Sequence, residues 1–213
     1  MTAPPLLGQA VRYAVTAVHG VRPELLSRPT PCREWDLWTL LVHAGESLEA
    51  LTEGVATGFV ACPETAAAPD RSGDSCGCAC GCDPADDPFA DPFADPFADP
   101  FTDPAAAFRH RAVGLLGAWA AAPRVVAIGD QLLPTDLMAA AAALEVSVHG
   151  WDIARACGRD LPIPAPVAGE LLAVGGLLVP EADRHPWFAR RAAVAAGACP
   201  SDRLVAYLGR NPR

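Results

Sequence analysis

The stretch Leu144-Glu145-Val146-Ser147-Val148-His149-Gly150-Trp151-Asp152-Ile153 sets three ionisable side chains into an otherwise apolar segment. Residues three and four apart share a helix face, so Glu145, His149 and Asp152 fall within roughly a 60° arc. Leu144, Val148 and Trp151 border that arc on one side, and Ala142, Val146 and Ile153 on the other. The helix is expected to start near Pro134-Thr135-Asp136 and to stop near Gly158, with proline at its entry and glycine at its exit. A helix that is apolar nearly all round is a buried helix. Its carboxylates and imidazole must then be paired, hydrogen-bonded or bound to a metal, because an isolated buried charge is costly.

Outward from this segment, the rest of the chain also reads as helices. Asp36 is placed as an N-cap, and Leu37, Leu41, Ala44, Leu48, Leu51 and Val55 follow at steps of four and three, drawing one apolar stripe. Leu6 to Val18 has helical spacing, and the Ala- and Leu-rich residues 105–121 continue as helix up to Pro123. A further apolar stretch covers 166–179, and a short helix near 202–208 ends at Gly209. Alternation of β-branched residues is scarce. The expected class is all-α, a four-helix bundle with short C-terminal additions.

His43 lies on the flank of the second helix's stripe, beside Ser47 and Gly54, whose small side chains are expected to leave room for a cavity. Together with the Glu145-x-x-x-His149 pair it makes a three-ligand set suited to Zn²⁺ or another first-row ion, with one coordination position open. On spacing alone the plainer account is an ordinary Glu145–His149 pair and a hydrogen-bonded core histidine.

The net charge of −9 is unevenly spread. Asp83, Asp86, Asp87, Asp91, Asp95, Asp99 and Asp103 lie in one stretch without a basic residue, and setting them aside leaves 16 basic against 18 acidic residues. No basic stripe exists for a phosphate backbone, so no nucleic-acid partner is expected. No apolar run approaches the roughly 20 residues of a membrane span, and the N-terminus has no signal-peptide pattern, which points to the cytoplasm. All 16 basic residues are arginine, a bias of GC-rich genomes such as those of actinobacteria.

Residues 62–104 break the helical pattern, and the chain is expected to be a single domain, 1–213, interrupted by them. Asp-Pro-Phe-Ala starts at Asp87, Asp91 and Asp95, and Asp99-Pro100-Phe101-Thr102 closes the array. Proline at every fourth position forbids a helix, and four phenylalanines without a partner element do not offset the entropy of ordering. The expectation is a disordered insertion, and the Asp-Pro-Phe units are either a spacer or a docking motif for a protein partner. Within it, Cys76, Cys78, Cys80 and Cys82 alternate with small residues. Four thiols in seven residues suit a soft metal such as Cu(I), Zn²⁺ or an iron–sulfur cluster; the bland account is incidental thiols on a loop.

Three motifs carry a family resemblance. Pro29-Thr30-Pro31-Cys32-Arg33-Glu34-Trp35-Asp36 with Leu40-Leu41-Val42-His43, then Glu145 through Ala156, and then Ser201 through Pro212 resemble, in this order, mycothiol-dependent maleylpyruvate isomerase-like proteins. These are part of the wider DinB-like metal-binding bundles. The resemblance implies a DinB-like four-helix bundle, a divalent metal at His43, Glu145 and His149 (Zn²⁺ first, then Ni, Fe or Co), and mycothiol as thiol cosubstrate. The chain reads as a short form without the extra C-terminal domain of the full isomerase, and the Cys-rich insertion departs from the family's pattern.

The function implied is a metal-dependent thiol transferase or isomerase acting on an electrophilic small molecule. The metal would lower the thiol's pKa, and the thiolate would attack the electrophile. The competing account is a non-enzymatic metal-binding or stress protein whose Cys-x-Cys loop chelates soft metal; an apo structural bundle is a third. Asp152 is read either as orienting a metal ligand or as a partner of Arg155. Cys32 is read as a small buried residue under the helix start rather than a nucleophile. The sequence names no general acid or base.

Overall fold

The computed structural model describes residues 4–32, 35–60, 103–181, 184 and 188–212. Among these residues, six α-helices run in the order α1 (Pro5–Val18), α2 (Leu37–Thr57), α3 (Pro104–Ala118), α4 (Thr135–Ala156), α5 (Ala165–Leu178) and α6 (Pro200–Tyr207). Their ends follow from local chemistry. Asp36 caps α2 by accepting from the Thr39 backbone N–H at 2.9 Å, and Gly58 closes that helix in the left-handed region at φ +78°. At the end of α4 the Gly158 N–H reaches the Arg155 carbonyl and the Arg159 N–H the Ala154 carbonyl, a Schellman closure around Gly158 at φ +71°.

The first four helices share one core. α1 packs on α4 and on α3, and α2 packs on α3 and on α4; α5 lies beside α6 and touches α4 and α1. Leu7 and Val11 from α1, Leu41 and Leu48 from α2, Phe108 and Leu115 from α3, and Leu144, Val148 and Ile153 from α4 meet there. Gly150 sets the α1–α4 spacing, since a Cβ added to it would stand 3.0 Å from the Ala14 Cα and 3.1 Å from the Tyr13 ring. The close approach makes α4 the most enclosed helix, and it is the helix that carries Glu145 and His149.

The chain is mostly helical, but the all-α expectation needs one correction. A small sheet of three strands, β1 (Phe59–Val60), β2 (Val125–Ile128) and β3 (Gln131–Pro134), lies in the order β1-β2-β3. β1 runs parallel to β2, and β2 and β3 form a hairpin with Ile128 opposite Gln131. Gly129 at φ +58° holds the first position of the two-residue turn, where a type II′ turn demands a positive φ. Val126 faces the core, while Val125 and Leu132 stand exposed.

The helix α3 begins within the range 62–104 that the sequence set aside as an insertion. Asp103 caps α3, its carboxylate accepting from the Ala105 and Ala106 N–H groups, and Pro104 is the first helical residue. Cys62, Cys76, Cys78, Cys80, Cys82 and the Asp-Pro-Phe array lie outside the described residues. Among the described residues, no helix is long and apolar enough to cross a membrane.

Candidate metal centre

Three helical side chains meet where α2 crosses α4. Oε1 of Glu145 lies 3.0 Å from Nε2 of His149, one helical turn along α4, and 3.3 Å from Nε2 of His43 on α2. The Ser47 hydroxyl, one turn beyond His43, reaches the same oxygen at 3.4 Å. The two imidazoles stand edge to face with centroids 5.3 Å apart. His149 is buried, whereas His43 and Glu145 keep about a third of their side chains in water, so the cluster opens to solvent on the α2 side.

The loop before α2 supplies a wall. Pro29 and Asp36 form an isolated antiparallel bridge, and the Thr30 backbone N–H and hydroxyl both donate to the Trp35 carbonyl, at 3.1 and 2.9 Å. This closed loop sets the Trp35 ring 4.5 Å from the His43 ring and 6.4 Å from that of His149. The same loop brings in Cys32, which is half-buried rather than buried as expected.

Behind His149 the cluster continues inward. Nδ1 of His149 lies 3.4 Å from Oδ2 of Asp152, a contact without hydrogen-bond geometry. The same Oδ2 accepts from Arg210 at 3.1 Å, and the Arg210 guanidinium also reaches the Cys32 sulfur at 3.4 Å. Asp152 therefore has Arg210 as its ion partner. Arg155, the partner considered from the sequence, lies over the Trp151 ring instead, 5.6 Å from its centroid.

These contacts set the charges. Burial alone would raise the Glu145 pKa, but His149 and His43 outweigh it and hold the carboxyl well below the usual carboxylate range. Burial alone would depress His149, yet Glu145, with Asp152 behind it, raises it to about 9. Burial pushes the Cys32 thiol up, and Arg210 only partly offsets this. Without a metal the cluster is an imidazolium held against a carboxylate.

The donor set fits a divalent ion. His43, Glu145 and His149 each offer one ligand atom, all within 4.8 Å of one another, and two imidazole nitrogens with a carboxylate oxygen are ordinary zinc ligands. Cys32, His149 and Asp152 form a second triplet within the same distance. It suits a cation less, because the Arg210 guanidinium already lies against both Asp152 and Cys32.

The sequence brought His43, Glu145, His149 and Asp152 to notice, and the fold sets all four in one cluster. Its reading of Gly54 was wrong. The space beside Gly54 is filled by Val60, Met138 and Val126, so no cavity opens there. Arg210 and Trp35 were missed as site residues, though both stood inside quoted motifs. A groove of about 550 Å³ between α2 and α3, lined by Glu49, Thr52, Ala106, Ala107, His110, Arg111 and Gly114, lies on another face of α2.

Comparison with known proteins agrees with the resemblance read from the motifs. The chain belongs to the mycothiol maleylpyruvate isomerase N-terminal domain family, whose model matches residues 7–154. It is similar to two uncharacterized proteins of Mycobacterium tuberculosis, from strains CDC 1551 / Oshkosh and ATCC 25618 / H37Rv. Each is 27% identical over 195 residues, which cover 91% of this chain and 89% of the relative. No solved structure matches it significantly.

Proposed function

We propose, on the premise of that family membership, that this protein is a metal-dependent transferase or isomerase that uses a mycothiol-type thiol against an electrophilic small molecule. In this reading α1 to α4 form a DinB-like four-helix bundle within a single domain, and His43, Glu145 and His149 are the metal ligands. One observation carries it: a carboxylate oxygen sits between two imidazole Nε2 atoms, at 3.0 and 3.3 Å, in a cluster that is dry on one side and open on the other. A divalent ion there, Zn²⁺ foremost, would supply Lewis acidity and lower the pKa of a thiol brought to it.

The chain's own groups prepare that chemistry. Glu145 stays anionic at neutral pH because both imidazoles favour its charged form. Asp152 stands behind His149 on the Nδ1 side, which leaves Nε2 directed at Glu145. Trp35 walls the cluster beside His43, its ring 4.5 Å from the imidazole. A thiol and an electrophile would enter from the exposed side of His43 and Glu145.

The test is elemental analysis of the full chain with Cys62, Cys76, Cys78, Cys80 and Cys82 changed to Ser, which removes competing thiols. About one divalent ion per chain is expected, lost in His149→Ala, and a cobalt-loaded sample should gain a sulfur-to-cobalt charge-transfer band with millimolar mycothiol. Metal bound only when those cysteines are intact would instead support the metal-handling account. A loaded site with no band would end the thiol-dependent reading.

A further inference from the structure

Asp152 is a fully buried carboxylate, and its charge is matched by a residue from the far end of the chain. The C-terminal segment is built to deliver that residue. Leu204, Val205 and Leu208 anchor α6 with no exposed surface. The helix then ends in a Schellman closure, with the Gly209 N–H on the Ala206 carbonyl and the Arg210 N–H on the Val205 carbonyl. Gly209 takes φ +83°, and an added Cβ there would come within 2.7 Å of the Ala189 carbonyl oxygen, so position and handedness both demand glycine. The residue after such a glycine commonly packs an apolar side chain back on its own helix. Here the position holds an arginine, 8% exposed, with its guanidinium on the Leu208 carbonyl, Asp152 Oδ2 and Cys32 Sγ.

We propose that Arg210 is a positioning residue for the metal centre: it fixes Asp152 behind His149, so that the C-terminal segment completes a site whose ligands all lie before residue 150. The inference rests on His43, Glu145 and His149 being the metal ligands. The geometry singles out this ion pair from a merely structural one. Arg210 and His149 converge on the same oxygen of Asp152, at 3.1 and 3.4 Å, and Asp152 follows His149 by one helical turn. Rotation of the carboxylate toward another partner would take its oxygen away from Nδ1 of His149, 3.4 Å off. Oδ1 of Asp152 has no hydrogen bond among the described residues, so Arg210 is what holds the group in that orientation. Arg210 also lies beyond residue 154, where the family model's match ends.

The experiment measures Zn²⁺ affinity by chelator competition, in the full chain with the same five cysteines changed to Ser. Removing the group that orients a histidine ligand typically weakens metal binding 10–100-fold. Arg210→Met should therefore lose at least about tenfold in affinity. Arg210→Lys, which keeps the charge but not the planar fork, should fall between Met and the parent. The paired change Asp152→Leu with Arg210→Met removes both buried charges, so it should fold at near-parental stability yet still bind Zn²⁺ at least about tenfold more weakly. Parental affinity in the folded double variant would overturn the proposal and leave Arg210 a structural counter-ion. If Arg210→Met does not fold, Arg210→Lys and the double variant decide by the same criterion. Absence of Zn²⁺ binding in the parent would instead defeat the ligand assignment itself, a separate failure.

Discussion

The inner and outer halves of the site hold similar groups under different physics. The side chains of His149, Asp152 and Arg210 are 6%, 0% and 9% exposed, whereas those of His43 and Glu145 are 38% and 33% exposed. Charges in the inner half have no water to fall back on, so each depends on its protein partner. Charges in the outer half trade partners with water at small cost. The difference teaches that breaking one partner of a charge pair in the inner half is read first in stability, before any effect on metal affinity. On the proposed ligand set the outer half is the working face, where substitution is read chiefly in binding.

The largest effect expected is on the inner half. Asp152→Ala strands the Arg210 guanidinium in the core without its counter-charge, and breaking a buried pair in this way costs about 3–5 kcal/mol. Urea unfolding of the metal-free protein measures it. His43→Ala in the same assay should cost under about 1 kcal/mol, because its contact with Glu145 is screened by water. The order should reverse when bound metal is measured, with His43→Ala losing stoichiometric ion. Equal stability losses for the two variants would erase the contrast between the halves.

A smaller effect is a pH profile set by the bond between the halves. His149 ordinarily titrates at 6.5; burial would lower that value, but Glu145 raises it to about 9. A raised pKa means that the folded state holds the proton more tightly. The stabilisation is therefore fully present below 6.5, fades as pH rises, and is gone above about 9. Its size is on the order of 3 kcal/mol at most. Glu145 reports the same contact from the other side. Its folded pKa is depressed, so the stabilisation is present above 4.5 and lost as pH falls toward the folded value. The metal-free protein should be most stable between 4.5 and 6.5, with the alkaline decline abolished in His149→Gln. On the proposed ligand set, bound Zn²⁺ would need the neutral His149 imidazole, so its apparent affinity should climb with pH up to about 9.

The two halves were also unequally legible in the sequence. Glu145, His149 and Asp152 share one helix, and a period of 3.6 residues places them together without tertiary knowledge. The Asp36 cap and the Gly158 end were local chemistry of the same kind. His43 needed the motif resemblance to join them. Arg210 is 58 residues from Asp152, and no periodicity links a residue after α6 to one inside α4. Its only local sign was a glycine followed by an arginine where an apolar residue is usual. The hairpin of β2 and β3 was missed for a related reason. Val125–Ile128 and Gln131–Pro134 do not alternate cleanly in polarity, and the signal lay in the two-residue Gly129-Asp130 spacer.

The smallest effect expected concerns the segment between β1 and α3. Its composition, with a proline in every Asp-Pro-Phe unit and no helical periodicity, led to its reading as an insertion on the domain rather than part of the core. Replacing residues 63–101 by a short Gly/Ser linker should leave far-UV helicity and the melting temperature close to those of the full chain. The argument is entropic, because each doubling of a flexible loop costs only about 0.6 kcal/mol in closure, and shortening gains no more than that per halving. The replacement must stop before Asp103, whose carboxylate takes the Ala105 and Ala106 N–H groups at the start of α3. Extending it through Asp103 removes that cap and should cost about 1 kcal/mol more. The two variants therefore separate the segment from the helix cap: the first should melt like the parent, and the second measurably below it. Loss of cooperative unfolding in the first would show that the segment is part of the core, and that neither half of the site stands without it.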